Sequence, residues 1–313
     1  MPTYNGAAFL EAALTSIARQ DLGSAIEVIA VDDGSTDDTL DILTRWQSRL
    51  QLHVQVRQHT GNWVASTNEA LSKARGTWIS WLHQDDAWLP GRIQQLLHLA
   101  DEVPDVDFFL HPAEFRDEDN RQLGIWRCPF KSNCRLTADD ILPKLIVQNT
   151  IPICSPMIKR DRCLQAGPMD AELWYFADWD YWLKLAAVSI CYYHVEPLAV
   201  FRLHHGSQTI KRTGALTDVG QQFDITTERA LAKMDPTESH QRSLQRLVRL
   251  SRATYLLMLS TFHDAPSGTL TEFLRAAFRV GPIGWWRYAC SARLIERVLP
   301  RLRLIRYQKK NRT

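Results

Sequence analysis

The chain has 313 residues, 45% of them hydrophobic and 23% charged, an ordinary globular composition that excludes a disordered or fibrous protein. Its six cysteines are scattered without a CxxC pair, which argues against a zinc knuckle or a secreted disulfide scaffold and favours a reducing cytoplasm. We find neither a signal-peptide pattern nor an apolar run of about 18 residues, so we expect no membrane-spanning helix.

The first two-thirds of the chain alternates segments typical of strands and helices. Short apolar runs with β-branched residues predict strands, and apolar residues at helical spacing predict helices. The predicted elements are a helix over 7–20, a strand over 27–33, a helix over 35–48, a strand over 52–56, a helix over 63–74, a strand over 77–83, a helix opened by Pro90 and a strand over 106–111. Strand–helix–strand units of this length predict an α/β fold with a mostly parallel central sheet and helices on both faces.

The second half of the chain is less regular and then becomes helical. Residues 112–150 are interpreted as an insertion. The patterns that follow predict a strand over 154–159, a helix over 178–187 and a closing pair of strands over 189–204. Helical patterns dominate from about residue 215 onward. We therefore expect a catalytic α/β domain over 1–212 and a helical region over 213–313.

The last thirty residues carry a concentration of positive charge. Residues 284–313 hold nine Lys and Arg and a single acid, Glu296, within a chain whose net charge is +2. Together with Trp285 and Trp286, this composition is typical of an amphipathic helix on an anionic membrane surface. Packing against the α/β domain with the charges facing water explains the same pattern, and the sequence favours neither reading. No base-reading motif suggests nucleic acid as a partner.

Two pairs of adjacent carboxylates stand at the ends of two predicted strands. Asp32 and Asp33 follow EVIAV, and Asp85 and Asp86 follow WISWLH. In an open parallel sheet the carboxyl ends of strands border the ligand crevice, and carboxylate oxygens suit Mg²⁺ or Mn²⁺. The first pair, followed by Gly34, also suits a turn and helix cap. Two such pairs at two strand ends nevertheless favour a metal or phosphate site.

Three stretches together resemble the family 2 glycosyltransferases, whose fold is GT-A, a Rossmann-like arrangement. They are PTYNGAAFLEAALTSIARQ, EVIAVDDGSTDDT and WISWLHQDDAWLP, and the resemblance covers roughly residues 1–205. It implies an inverting enzyme that uses a nucleotide sugar. Carried over residue by residue, it implies a nucleotide-sugar site of Pro2, Thr3, Tyr4, Asn5, Asp32, Asp33, Asn68, His83 and Asp85.

The resemblance also implies a metal site and a catalytic base. Asp85, Asp86 and His204 would hold a divalent metal, Mn²⁺ or Mg²⁺, with His205 as the alternative histidine. In FADWDYWLKL, Asp178 matches the family's catalytic base.

Other residues near these motifs have alternative roles in the sequence reading. A helix N-cap is the alternative role for Asp178, and Asp180 is the weaker candidate for the base. Trp179 and Trp182 would stack on a sugar or pack in the core. Arg202 would offset phosphate charge or pair with an acid.

The implied reaction moves a sugar from a UDP-, GDP- or dTDP-sugar to a hydroxyl of a glycan, polysaccharide or lipid-linked acceptor. Such an enzyme of envelope polysaccharide synthesis would work in the cytoplasm or at the inner face of the membrane. The alternatives are a catalytically weakened nucleotide-binding remnant of the same fold and a nucleotidyltransferase. An NAD-dependent oxidoreductase is disfavoured, because no G-x-G-x-x-G follows a strand.

Two features depart from the family pattern. The family has an apolar strand before P-T-Y-N, and that strand is missing here, so we expect an unpaired strand edge. His83 and Gln84 stand where the metal motif of the family has Asp and a variable residue. A neutral histidine there could still bind ribose or metal.

Overall fold

The computed structural model describes residues 1–22, 25–204, 206, 216–234, 238–260, 268–300 and 303. Helices and strands alternate through the first half, as the sequence predicts. The elements up to residue 126 are β1 (Pro2–Thr3), α1 (Ala7–Ala18), β2 (Glu27–Asp32), α2 (Thr39–Trp46), β3 (Gln51–Val56), α3 (Trp63–Lys73), β4 (Trp78–Ser80), β5 (Ala87–Trp88), α4 (Arg92–Glu102), β6 (Phe108–Leu110), β7 (Ala113–Arg116) and β8 (Gln122–Trp126). The rest are β9 (Cys134–Leu136), α5 (Ala138–Leu145), β10 (Met157–Lys159), α6 (Arg160–Ala166), α7 (Ala177–Val188), β11 (Cys191–Tyr193), β12 (Ala199–Arg202), α8 (Leu216–Leu231), α9 (Glu238–Ser260) and α10 (Gly268–Ser291).

The first sheet is parallel, with strand order β1-β2-β3. Its strand β1 consists of the first two residues of P-T-Y-N and pairs with β2. Thr3 lies opposite Asp32, and the Val31 N–H donates to the Met1 carbonyl at 2.9 Å. Residues 1–3 therefore pair along part of the strand edge that was expected to be unpaired.

The other two sheets are mixed rather than mostly parallel. In the five-stranded sheet β4-β10-β6-β11-β9, strand β10 runs antiparallel to both of its neighbours and β9 runs antiparallel to β11. The predicted closing pair of strands is also divided, because β11 pairs with β6 while β12 pairs with β7 in the four-stranded sheet β5-β12-β7-β8. Side-chain alternation reveals a strand but not its direction or neighbour.

Two predicted elements are shorter than expected, because the residues at one end of each form a turn instead. The strand predicted over 77–83 ends at Ser80, and a turn follows in which the Asp86 N–H donates to the His83 carbonyl at 3.2 Å. Helix α2 begins at Thr39 rather than at residue 35. The intervening Ser35 and Asp37 accept hydrogen bonds from residues 5 and 7 instead of starting the helix.

The C-terminal helices share the main hydrophobic core with the α/β part. Phe223 of α8 packs edge-on against Trp179 and Phe176 of the α7 region, with ring centroids 5.2 and 5.7 Å apart. Tyr255 of α9 joins the same cluster. The predicted boundary at 212–213 lies outside the described residues. Within the described part of the chain, no helix is both long and apolar enough to cross a membrane.

Candidate functional site

A turn at Tyr4–Gly6 is bound directly to the turn that follows β4. The Tyr4 N–H donates to Gln84 Oε1 at 2.8 Å, and Gln84 Nε2 donates back to the Tyr4 carbonyl at 3.0 Å. A Cβ at Gly6 would collide with the Gln84 amide, which explains the glycine. Sequence reasoning missed Gln84, since nothing in the local pattern links residues 80 positions apart.

Asp32 holds two neighbouring turns together from the inside. Its carboxylate is fully buried and accepts from the Thr3 hydroxyl at 2.9 Å and from the Ser35 N–H at 2.8 Å. Asn5, at φ 43°, donates its N–H to Ser35 Oγ and accepts from the Thr36 N–H through its side chain. These contacts fit the interpretation of the first acidic pair as part of a turn, with the Asp32 carboxylate bound inside the protein.

Asp33 organises the loop after β3 and, through it, supports Tyr4. Its carboxylate accepts from the Thr60 N–H and hydroxyl and from the Gly61 N–H, and Arg57 Nε lies 3.1 Å away. A carboxylate has about four lone-pair sites, so this set occupies its acceptor capacity. His59 of the same loop stacks on the Tyr4 ring at 4.0 Å and 17°. The stacked pair is an aromatic surface that the sequence reading did not anticipate.

The two carboxylates after β4 point in different directions. Asp86 is 3% exposed and accepts from the Arg202 N–H at 3.0 Å, so its carboxylate lies inside the protein. Burial and the charge of Asp85 raise the pKa of Asp86 well above its ordinary value. Asp85 instead meets His204, with Oδ2 and Nε2 2.8 Å apart. In this structure Asp86 thus lies inside the protein while Asp85 meets His204, and a shared metal role of the two carboxylates stays a prediction.

The charge of Asp85 is stabilised by its surroundings. Burial by itself raises its pKa, but the hydrogen bond from His204, with smaller electrostatic contributions from the neighbouring histidines, brings the pKa below its ordinary value. Arg202 fixes the backbone of this turn, donating from Nε to the Asp85 carbonyl at 2.9 Å and from a terminal nitrogen to the Asp117 carbonyl. The Arg202 guanidinium therefore binds backbone carbonyls of the protein itself. His205, the alternative histidine, lies outside the described residues.

Asp85 and His204 together fit a cation that a substrate helps to hold. Among the described residues, no group of three or more His, Cys, Asp and Glu side chains is arranged for metal binding. One carboxylate oxygen and one imidazole nitrogen suit Mn²⁺, and protein sites for Mg²⁺ commonly use one or two carboxylates plus substrate phosphates. The pair thus matches a metal site completed by phosphate and water.

His83 is neutral and unusually placed. Burial lowers its pKa to about 4. Its Nε2 is buried and has no hydrogen-bond partner among the described residues, while its ring meets Trp63 edge-on at 5.2 Å. Trp63 Nε1 in turn donates to the Trp174 carbonyl at 2.8 Å, which joins this region to the segment before α7. An unpartnered buried nitrogen next to Asp85 is a position where a bound polar group would be stabilised.

Asp178 lies in the first turn of α7 and has a raised pKa. Burial brings it to about 6, even though hydrogen bonds from Asn149 and the Trp179 N–H and the charge of Arg297 lower it. Asn149 Nδ2 donates to Oδ2 at 3.1 Å, and the Trp179 N–H donates to Oδ1 at 2.7 Å. The N-cap residue is Phe176, so the alternative role of Asp178 as the helix cap is wrong.

Asn149 is held from the other side by an arginine of the C-terminal region. Arg297 is 7% exposed and donates to the Asn149 carbonyl at 2.6 Å. Its guanidinium lies 5.1 Å from the Trp126 ring and 5.8 Å from the Tyr255 ring. The helical region therefore reaches the surroundings of Asp178, a contact that sequence reasoning missed because it joins distant segments.

Several candidate residues prove to belong to the framework. Trp179 and Trp182 are fully buried, which excludes stacking on a sugar and supports core packing. Asp180 is 2% exposed and pairs with Lys184 at 2.6 Å. Asn68 uses both ends of its amide on the Met169 backbone, at 2.8 and 2.9 Å. Its role is to fasten α3 to the segment before α7.

Comparisons with known proteins agree with this architecture. The model of the family described as glycosyl transferase family 2 matches residues 1–161. An uncharacterized glycosyltransferase of Rickettsia prowazekii, RP339, is 25% identical over 210 residues, which cover 67% of this chain and 64% of the relative. A PGL/p-HBAD biosynthesis glycosyltransferase of Mycobacterium bovis is 31% identical over 182 residues, 58% of this chain and 66% of the relative. The chain thus spans less than two thirds of the first relative's length.

Solved structures share the fold at low sequence identity. TarS of S. aureus (residues 1–349), in complex with UDP-GlcNAc, gives a TM-score of 0.69 at 18% identity and covers 88% of this chain and 77% of its own. The mannosyltransferase PcManGT of Pyrobaculum calidifontis, with GDP-Man and Mn²⁺, gives 0.56 at 16% identity and covers 94% and 85%. The expected GT-A-like α/β fold is confirmed, including the helical region in the aligned part.

Proposed function

The chain belongs to glycosyl transferase family 2, and from this premise we propose that it transfers a sugar from a nucleoside-diphosphate sugar to a hydroxyl acceptor with inversion. The observation that carries the proposal is that Gln84 and Arg202 hold Asp85 and His204 in place beside the Tyr4 turn. A nucleotide lying against that turn would bring its diphosphate to Asp85, the carboxylate of the motif that is not fully buried. UDP-GlcNAc bound to TarS and GDP-Man bound to PcManGT support this substrate class.

In this proposal the residues of the two acidic pairs have different roles. Tyr4, stacked on His59, offers an aromatic surface for the nucleotide base, and the Pro2–Thr3 strand positions it. Asp32, Asp33, Asn5 and Asn68 keep the surrounding turns in place, since their polar groups are already bound within the protein. Asp85, with the unpartnered His83 nearby, faces the ribose and diphosphate.

Asp85 and His204 are the proposed holders of Mn²⁺ or Mg²⁺. Such an ion, when bound, neutralises the charge that develops on the departing diphosphate. Asp86 contributes through the backbone of Arg202 rather than as a ligand.

Asp178 is the proposed general base. A carboxyl with a pKa of about 6 is largely ionised at neutral pH and still basic enough to take a proton from an acceptor hydroxyl. Attack from the side opposite the leaving diphosphate inverts the anomeric carbon. The acceptor class that we propose is a glycan, a polysaccharide or a lipid-linked saccharide. The proposed place of transfer is the cytoplasm or the inner face of the membrane.

The direct test is a thermal-shift screen of nucleoside diphosphates and nucleotide sugars with and without Mn²⁺. We expect at least one nucleotide sugar to raise Tm, and more so with Mn²⁺, because a ligand that binds only the folded state stabilises it. Free Mn²⁺ without nucleotide serves as the control. A screen in which no nucleotide produces a metal-dependent shift would remove the transferase proposal.

A remnant that binds nucleotide without transferring sugar is the second candidate. It is favoured by His83, which stands where the family has an acid and leaves a buried nitrogen unpartnered among the described residues. The screen separates the two when followed by an assay for release of nucleoside diphosphate. Binding without any release would support the remnant.

Replacing Arg297 by glutamine is expected to move the rising limb of the pH–rate profile to higher pH. The positive charge of Arg297 lowers the pKa of Asp178, so its loss leaves the base protonated over a wider range. Rates at pH 6 should therefore fall more than rates at pH 8. Arg297→Lys, which keeps the positive charge, should return the rising limb of the pH–rate profile to the pH range of the parent.

Arg293→Gln provides the matched control for this experiment. Arg293 lies four residues earlier, pairs with Glu296 at 2.7 Å and has no contact with Asn149. An unchanged pH profile in Arg297→Gln, with normal melting, would show that Arg297 is only structural.

A further inference from the structure

Helix α10 carries an apolar ridge that faces away from the protein. Leu270, Leu274 and Phe278 recur every fourth residue and so lie on one face, with exposed fractions of 52%, 57% and 88%. After the kink at Gly281 and Pro282, the exposed residues Ile283 and Trp286 follow. We call these five side chains the α10 ridge. Exposed apolar side chains grouped in this way mark an interaction site rather than ordinary surface.

The ridge is not the face by which α10 is attached. Phe273, Ala276, Ala277 and Val280 pack against the main core. At helical spacing these residues form an adjoining face of the helix, centred about 110° from Leu270, Leu274 and Phe278. The helix is therefore anchored without the ridge, whose exposure has no role in the stability of the fold.

A cluster of arginines flanks the ridge. Arg246 and Arg249 of α9, with Arg275 and Arg279 of α10, line a cavity of about 570 Å³ between the two helices. All four are exposed, and within the described part of the chain none of them forms an ion pair. We call these four side chains the arginine patch. Glu272, which also lines this cavity, is already paired with Arg252 at 2.8 Å.

We propose that the α10 ridge and the arginine patch together form a docking surface for an anionic lipid bilayer. Arginines attract acidic headgroups, and apolar side chains beside them enter the boundary between headgroups and acyl chains. Neither half suffices alone. A free phosphate or a soluble polyanion would occupy the arginines but leave Phe278 and its neighbours in water.

The distribution of charge disfavours the other occupants of this face. A second copy packed through the same face would present the same arginines, and Glu272, the acid described beside them, is already paired with Arg252. The residues after 303 carry basic and no acidic side chains, so they supply no complement either. Among the described arginines of the predicted basic tail, Arg287 is exposed on α10 next to the ridge residue Trp286, whereas Arg297 is buried and Arg303 donates to the Leu123 carbonyl. The surface that fits a membrane thus lies on α9 and α10, and it shares only the start of the predicted tail.

The test is flotation of the full chain with two kinds of vesicle, phosphatidylcholine alone and phosphatidylcholine mixed with phosphatidylglycerol. We expect flotation only with the mixed vesicles and weaker binding at high salt, because screening weakens the attraction of arginines to headgroups. Arg275→Gln with Arg279→Gln should weaken binding roughly thirtyfold, at about 1 kcal/mol per charge. Leu274→Ser with Phe278→Ser should weaken it about tenfold or more.

Matched controls come from other surfaces of the protein. Leu164→Ser on α6 removes a leucine that is 53% exposed, close to the 57% of Leu274, and Arg19→Gln removes the exposed arginine that directly follows α1. Both should float like the parent. The proposal is overturned if the parent ignores the mixed vesicles or if the ridge and patch variants float unchanged. It is also overturned if inorganic phosphate alone stabilises the protein without vesicle binding, or if Phe278→Ser only disrupts a dimer seen by light scattering.

Discussion

Replacing Asp178 by asparagine is expected to reduce kcat by about 10²-fold or more while nucleotide-sugar affinity stays close to that of the parent. General base catalysis is worth roughly 10²–10⁴-fold, and an amide cannot take the proton. The amide oxygen can still accept from Asn149, so the geometry around the residue is kept. Single-turnover transfer and titration with the nucleotide sugar measure the two quantities separately.

The same substitution should stabilise the folded protein at neutral pH. The pKa of Asp178 rises from 3.8 in the unfolded chain to about 6 in the fold, so ionisation above that range disfavours folding. The resulting loss in the free energy of unfolding develops as pH rises from about 4 to 6 and stays constant at higher pH. It amounts to at most about 3 kcal/mol. Asparagine has no charge to bury. Its free energy of unfolding should therefore exceed that of the parent at pH 7 and match it near pH 3.

Asp180→Asn is the matched control on the same helix, with the opposite expected result. Asp180 is buried and paired with Lys184, so its replacement should cost on the order of 1–3 kcal/mol of stability with little change in kcat. The parent's own rate should rise with pH through about 6. Normal turnover in Asp178→Asn would show that another group is the base.

Replacing Asp85 by asparagine is expected to abolish the Mn²⁺-dependent part of nucleotide binding. Asp85 supplies the only motif carboxylate that meets His204, and a neutral amide is a poor ligand for a hard cation. Loss of metal assistance to the leaving diphosphate should lower kcat/KM by about 10²-fold or more, since it is worth several kcal/mol. Thermal shifts with a nucleotide sugar, with and without Mn²⁺, measure the first effect.

Asp86→Asn provides the comparison, one residue further along. Asparagine keeps an oxygen that can accept from the Arg202 N–H, so we expect the turn and the Mn²⁺ response to survive. If Asp86→Asn lost the metal response and Asp85→Asn kept it, the assignment of the two carboxylates would be reversed.

The sequence was sufficient for the order of the elements and for the location of the motifs. Hydrophobic periodicity is local, and the motifs at strand ends sit where α/β architecture puts ligands. The different directions of the Asp85 and Asp86 side chains were beyond the same reasoning, since both residues lie in the turn after β4 and not in an extended strand. The mixed direction of the sheets was beyond it too, because the side-chain pattern of a strand does not record its partner.

The supporting contacts lay beyond sequence reasoning for a different reason. Four residues contact a motif residue or its neighbour from a distant part of the chain or from outside any recognised pattern: Gln84, His59, Asn149 and Arg297. Polar residues of these types are common on protein surfaces, so their presence in the sequence does not predict these contacts. Their roles appear only when the fold fixes which segments meet.

The contact between Arg297 and Asn149 has a consequence for the order in which the enzyme matures on the ribosome. The residues of the Tyr4 turn and of the Asp85 turn are synthesised early, and Asp178 follows. The arginine that braces the surroundings of Asp178 emerges last, after α8, α9 and α10. On the proposed function, a nascent chain therefore holds the Asp85–His204 pair and Asp178 before the segment that supports Asp178 exists, so full support of the proposed base waits until α8, α9 and α10 have been made.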